Sequence, residues 1–129
     1  MAIPPGLIIT AILVVNNLRD LENDRKAGKH TLAVIFDERV SKTEYLVCVI
    51  VAYLVIPLTA WMGVVPWYSL ITWFSLPLAI RTTSIVFTQK GRPLNAALAG
   101  TGQVALLFSL LFWLGLFFSQ KFPLAPFSF

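Results

Sequence analysis

Apolar residues gather along this chain in four stretches, residues 3–15, 45–65, 67–87 and 96–118, and the polar positions collect between them. Sustained apolarity of this kind marks helices that cross a bilayer, because a hydrocarbon core of about 30 Å takes about 20 residues at 1.5 Å each. The last three stretches are long enough to span. The first has thirteen residues, which is about 20 Å of helix and falls short. Pro57 predicts a kink in the second stretch, and Gly63 to Pro66 close it. Trp67 and Tyr68 open the third as interfacial aromatics do, and Pro93 and Asn95 open the fourth. Pro123 and Pro126 mark a loose tail. The pattern predicts an all-α, multi-pass transmembrane bundle with helices over about 3–16, 45–65, 67–87 and 96–118, and a polar loop over 16–43.

Composition agrees with that class. The 129 residues are 57% hydrophobic and 12% charged, with a mean hydropathy of +0.79, whereas soluble domains carry about 25% charged residues. All six acids, Asp20, Glu22, Asp24, Asp37, Glu38 and Glu44, lie between the first two stretches together with six of the ten basic residues, so that region is neutral. The net charge of +4 comes from Arg81, Lys90, Arg92 and Lys121. No basic stripe with interleaved aromatics lies in a soluble segment, so nucleic acid is excluded as a partner. Four antiparallel helices put the region 17–42 and the turn carrying Lys90 and Arg92 on one face, while Gly63 to Pro66 carries no charge. The bias of basic loops assigns that face to the cytoplasm or, in a plastid, to the stroma. Cys48 lies in an apolar stretch as a packing thiol, His30 is a surface residue beside lysines, and the N-terminus has neither the charged region nor the cleavage site of a signal peptide.

The concentration of charge over residues 16–34, NNLRDLENDRKAGKHTLAV, is the feature that needs explaining. Asp20 and Asp24 are four apart, which on a helix places both carboxylates on one face with Cβ atoms about 5–6 Å apart, while Glu22 takes a different face. Two such charges destabilise a helix unless a cation neutralises them. Carboxylate oxygens suit Mg²⁺, which takes one or two protein carboxylates together with waters and substrate phosphates. Asn16, Asn17 and Asn23 add neutral oxygens. Arg19, Arg25, Lys26 and Lys29 lie close by, and a metal with several cations offsets the charge that develops on a departing diphosphate. Ala27 and Gly28 break the helix, and Gly28 permits close approach of backbone to a phosphate. Spacing alone is equally compatible with an ordinary loop whose acids and bases pair on the surface.

The complete string is more specific than its spacing. It resembles the second aspartate-rich motif of the UbiA superfamily of intramembrane prenyltransferases, and its form N-N-x-R-D-x-x-x-D-x-x-A-G-K-x-T-L-A-V is most like the 1,4-dihydroxy-2-naphthoate prenyltransferase branch. Residues 94–116, LNAALAGTGQVALLFSLLFWLGL, are similar to the last helix of that branch. The resemblance implies a central cavity in a larger helix bundle, with Mg²⁺ bridging two aspartate-rich motifs to a prenyl or phytyl diphosphate. It makes Asp20 and Asp24 the catalytic, metal-binding aspartates and assigns Asn16, Asn17, Arg19, Arg25 and Lys29 to the diphosphate.

A second motif of that form is missing from the 129 residues, so the chain is expected to be the C-terminal portion of a longer enzyme, its last four helices, and to be inactive alone. The implied reaction is attack of a dihydroxynaphthoate ring on an allylic centre as the diphosphate leaves, in menaquinone or phylloquinone biosynthesis. The implied setting is a bacterial or cyanobacterial inner membrane or a plastid membrane. The alternatives are another aromatic acceptor, or a non-catalytic membrane subunit or transporter fragment; the second would place acids inside helices, whereas these acids all lie in or beside one loop.

Overall fold

The computed structural model describes residues 3–122, so Pro123 and Pro126 lie outside the described residues. Helix α1 spans Ile3–Lys26 and α2 spans Leu32–Trp61; a 3₁₀ segment, Trp67–Ser75, leads into α3, Leu76–Thr88, and α4 spans Leu94–Lys121. The described residues are all helix and turn, as the apolar pattern predicts. Leu32–Trp61, Trp67–Thr88 and Leu94–Lys121 are long and apolar enough to cross a membrane. Trp61, Phe74 and Leu106 stay exposed on the outside of the bundle, which suits a surface that faces lipid.

The polar loop expected over 16–43 is mostly helical. Helix α1 runs through the charged residues to Lys26 and α2 begins at Leu32, leaving a short turn between them. The stop at Lys26 is a Schellman cap: Gly28 takes a φ of +70°, its N–H bonds the Arg25 carbonyl at 3.3 Å, and the Lys29 N–H bonds the Asp24 carbonyl at 2.9 Å. A residue with a side chain resists that left-handed conformation. Buried Ile8, Ala11, Val15 and Leu18 recur every three or four residues along α1, and Tyr45, Cys48, Val49, Ala52, Tyr53 and Ile56 do the same along α2. Helix α1 packs between α2 and α4, while α4 also carries the 3₁₀ segment and α3.

The interruption in α2 falls at Asp37 and not at Pro57. Asp37 has φ 75° and ψ 160°, whereas Pro57 keeps a helical backbone. Proline removes the N–H that would bond the carbonyl four residues back, here that of Tyr53, and the Trp73 indole N–H donates to that oxygen instead at 3.4 Å. A partner from a neighbouring helix is what makes proline tolerable where water is absent. The conformation at Asp37 is one that essentially only glycine adopts freely, and it costs on the order of 1–3 kcal/mol unless its surroundings hold it.

The third element is not one continuous helix. Ser69, Thr72 and Ser75, spaced by three, are fully buried; that spacing aligns them on one side of a helix with three residues per turn. Pro77 then starts α3 in its first turn, where a missing N–H is harmless. The small side chains admit α4 so closely that a Cβ at Gly115 would lie 2.7 Å from the Tyr68 carbonyl oxygen and 2.9 Å from Ser69 Cα. Hydroxyls tie the same helices together. Thr101 donates to the Ala97 carbonyl and Ser75 to that of Thr72, so Tyr45 donates to Thr101 at 3.2 Å and Tyr53 to Ser75 at 2.6 Å. Such cross-helix bonds and small-residue contacts hold membrane helices together where lipid removes the hydrophobic incentive.

Gly115→Ala must displace backbone and is expected to destabilise the fold by about 1–3 kcal/mol. Gly102→Ala, where an added Cβ meets nothing within 4 Å, is expected to be neutral or stabilising by about 0.5–1 kcal/mol. Unfolding midpoints of the two variants in detergent check this, and equal effects would contradict the close packing at Gly115.

Candidate functional site

At one end of the bundle α1 stops, α2 starts and α3 turns into α4. The three meet around a cavity of about 610 Å³ whose wall includes Arg19, Asp20, Glu22 and Arg25 from α1, Asp37, Glu38 and Lys42 from α2, and Lys90, Arg92 and Asn95 from the turn and the start of α4. The opposite connection, Gly63 to Pro66, carries none of these charges.

Two side-chain arrangements organise the α1 wall. Arg19 grips Asp20 in a two-pronged contact, Nε to Oδ1 at 2.9 Å and Nη2 to Oδ2 at 2.7 Å, and its remaining nitrogen reaches Asn95 Oδ1 at 3.3 Å. Those hydrogen bonds hold the Asp20 carboxyl below the usual range against a modest opposing effect of burial, and the Lys29 charge adds to the lowering. Lys29 itself, brought back by the Gly28 cap, lies 3.2 Å from Asp24 Oδ1. The repulsion expected between Asp20 and Asp24 is therefore met by two cations from the same motif, Arg19 on one and Lys29 on the other.

Across the cavity Glu38 holds a lysine on each carboxylate oxygen, Lys42 at 2.7 Å and Lys90 at 2.9 Å. Its hydrogen bond raises the Lys90 pKa. Among the described residues four charged groups of the wall form no ion pair, the guanidinium groups of Arg25 and Arg92 and the carboxylates of Glu22 and Asp37.

The residues singled out in the sequence are partly brought together. Arg19, Asp20 and Arg25 line the cavity, whereas Asn16, Asn17, Asp24 and Lys29 are outside its wall. Asp24 is nearly buried and turned to Lys29, because the helix cap draws Lys29 over it. Glu22, expected on a different face, does line the cavity, since the space wraps around the end of α1. Gly28 is outside the wall as well, and its freedom serves the helix cap. Lys90, Arg92 and Asn95 are site residues that the motif did not indicate; the sequence signal for them was the placement of both basic connections on one face.

Among the described residues no three or more His, Cys, Asp or Glu side chains are grouped to hold a metal ion. Of the two carboxylates of the aspartate motif, one helical turn apart, Asp20 lies in the cavity wall and Asp24 lies beside it, paired with Lys29. That set fits Mg²⁺ shared with phosphate oxygens, which needs one or two protein carboxylates, and it does not form an all-protein cage.

The depressed Asp20 pKa has a definite consequence for stability. A carboxylate with a folded-state pKa below its unfolded value stabilises the fold above the unfolded value, about 3.9, and that contribution is lost as pH falls through the depressed one. Wild type is therefore expected to lose more stability than Arg19→Gln between about pH 6 and about pH 2. Thermal unfolding of both proteins at the two pH values measures this, and equal losses would contradict the pairing.

Comparison with known proteins places the chain. The UbiA prenyltransferase family profile matches residues 1–95. A 1,4-dihydroxy-2-naphthoate octaprenyltransferase of Haemophilus influenzae is 34% identical over 116 residues, 89% of this chain and 38% of the relative. Its namesake in Escherichia coli is 38% identical over 117 residues, 89% of this chain and 38% of the relative. The human UbiA prenyltransferase domain-containing protein 1 is 33% identical over 125 residues, 97% of this chain and 34% of the relative. The chain thus spans between about a third and two fifths of the length of these relatives. No solved structure matches it. With a family match over most of its length, the chain belongs to the UbiA prenyltransferase family.

Proposed function

We propose that this chain supplies one of the two aspartate-rich halves of a membrane enzyme that transfers a prenyl group from its diphosphate to 1,4-dihydroxy-2-naphthoate, with the charged face toward the cytoplasm or stroma. The observation that carries the reading is the cavity at the polar end of an otherwise apolar bundle, where the aspartate motif of α1 meets the unpaired guanidinium groups of Arg25 and Arg92. The names of the bacterial relatives, 1,4-dihydroxy-2-naphthoate octaprenyltransferases, support the naphthoate acceptor.

In this reading the diphosphate lies in the cavity and the isoprenoid tail extends along the apolar helices toward the bilayer, where each buried CH₂ is worth about 0.8 kcal/mol. Arg25 and Arg92 bind the diphosphate oxygens and offset the charge that grows as the carbon–oxygen bond breaks. Arg19 keeps Asp20 ionised and oriented, and Lys29 holds the Asp24 carboxylate in place. Asp20 and Asp24 would hold Mg²⁺, with Asn16 and Asn17 adjoining. When bound, the ion supplies charge neutralisation on the leaving diphosphate. The apolar walls keep water from the electron-poor allylic carbon, leaving it to the naphthoate ring, which then loses its carboxylate as carbon dioxide.

In a protein carrying this chain together with the other motif, Asp20→Ala or Asp24→Ala is expected to lower the rate of prenyl transfer on the order of a hundredfold to a thousandfold, the value of about 3–4 kcal/mol of charge stabilisation. Substitution of Glu44, which lies outside the cavity wall, serves as the comparison and should retain activity. An assay with prenyl diphosphate, dihydroxynaphthoate and varied Mg²⁺ checks this. Equal losses in all three variants, with unchanged Mg²⁺ dependence, would overturn the reading.

A further inference from the structure

Lys90 and Arg92 belong to a turn that has little packing to hold it against α2. Helices α2 and α3 do not close on each other along their length: an apolar groove of about 330 Å³, with Leu46, Tyr53, Leu76 and Ile80 in its wall, lies between them. At the charged end polar contacts cross that gap instead. Lys42 Nζ lies 2.7 Å from Glu38 Oε1 and donates to the Phe87 carbonyl at 3.3 Å, in the last turn of α3. Lys90, just past the end of α3, lies 2.9 Å from Glu38 Oε2. One carboxylate thus ties down the chain on both sides of Thr88.

We propose that Glu38 is a positioning residue: by holding Lys42 and Lys90 on its two oxygens it fixes the α3–α4 turn against α2, so that Arg92 joins Arg25 in the wall of the anion site. The inference rests on the reading of that cavity as a diphosphate site. Glu38 has no direct role toward the anion, and as a negative charge in the wall it repels one. Its removal would also leave two lysine ammonium groups close together and free the turn to move away. The two effects have opposite signs, which makes the proposal decidable. If Glu38 were merely one more charge, neutralising it would tighten anion binding and release two lysines to assist. If it positions the turn, neutralising it weakens binding through the loss of Arg92.

The test is calorimetric titration, with pyrophosphate at saturating Mg²⁺, of a protein carrying this chain together with the other aspartate-rich motif, in lipid nanodiscs. Glu38→Gln and Arg92→Ala are each expected to weaken binding roughly tenfold, as for one charged hydrogen-bonding contact. The double variant should be no weaker than Arg92→Ala alone, because Glu38 acts through Arg92. Glu38→Asp keeps the charge but draws the carboxylate back by one methylene from lysines now 2.7 and 2.9 Å away, so it should also weaken binding, and it decides the matter if Glu38→Gln is not recovered folded. Binding to Glu38→Gln or Glu38→Asp as tight as wild type or tighter, or losses that add in the double variant, would overturn the positioning role while leaving the diphosphate site intact. Absence of pyrophosphate binding by wild type would overturn both.

Discussion

Every charged side chain on a bundle of membrane helices has to reach water at an end, because a charge at the bilayer centre costs at least about 2.5–3.5 kcal/mol. The rest of this structure follows from how that constraint is met. The acids and most of the basic residues fall at the junctions of α1 with α2 and of α3 with α4, and alternating helix directions bring those junctions together. A chain with so few charges thereby acquires one end with a dense, mixed-sign cavity, while the connection at Gly63 to Pro66 remains neutral.

Within that cavity the charges are sorted by local geometry. Arg19 takes Asp20, Lys29 takes Asp24, and Glu38 takes two lysines. Isolated exposed ion pairs contribute little stability, but here they decide which cations remain unpaired, and Arg25 and Arg92 are the two in the cavity wall that the proposed function assigns to an anion. The motif A-G-K owes its place in this scheme to backbone geometry, since the Gly28 cap is what delivers Lys29 to Asp24. In the proposed function a diphosphate with its metal would add charge of both signs to such a site, and the existing pairs could exchange partners without exposing charge to lipid.

Much of this was legible in the sequence, because unbroken apolarity reports membrane helices directly and the long string around Asp20 and Asp24 is distinctive. The extent of α1 was not, since Arg19 to Lys26 lower the apolarity that betrays a membrane helix without lowering helix formation. The spacing of Asp20 and Asp24 held that information. Pro57 leaves the helical backbone unbroken because the carbonyl it deprives of a donor, that of Tyr53, is met by Trp73, twenty residues along the chain from Tyr53, and nothing local announces such a partner. The break at Asp37 lacks the glycine that would have signalled it. The 3₁₀ segment was not read, because the three-residue spacing of Ser69, Thr72 and Ser75 is concealed by the continuous apolarity around it. For the site, the motif located the α1 wall, whereas Lys90, Arg92 and Asn95 depended on topology and Glu38 on tertiary contact.

The central claim is that an anion binds across elements, between α1 and the α3–α4 turn. Solid-state NMR of the intact chain, with ¹⁵N in arginine and pyrophosphate supplying ³¹P, measures that proximity directly. The account predicts that phosphorus dephases guanidinium nitrogens and that the effect shrinks when either Arg25 or Arg92 is replaced by lysine. Full dephasing that persists in a variant lacking both arginines, or none in wild type with pyrophosphate bound, would contradict it.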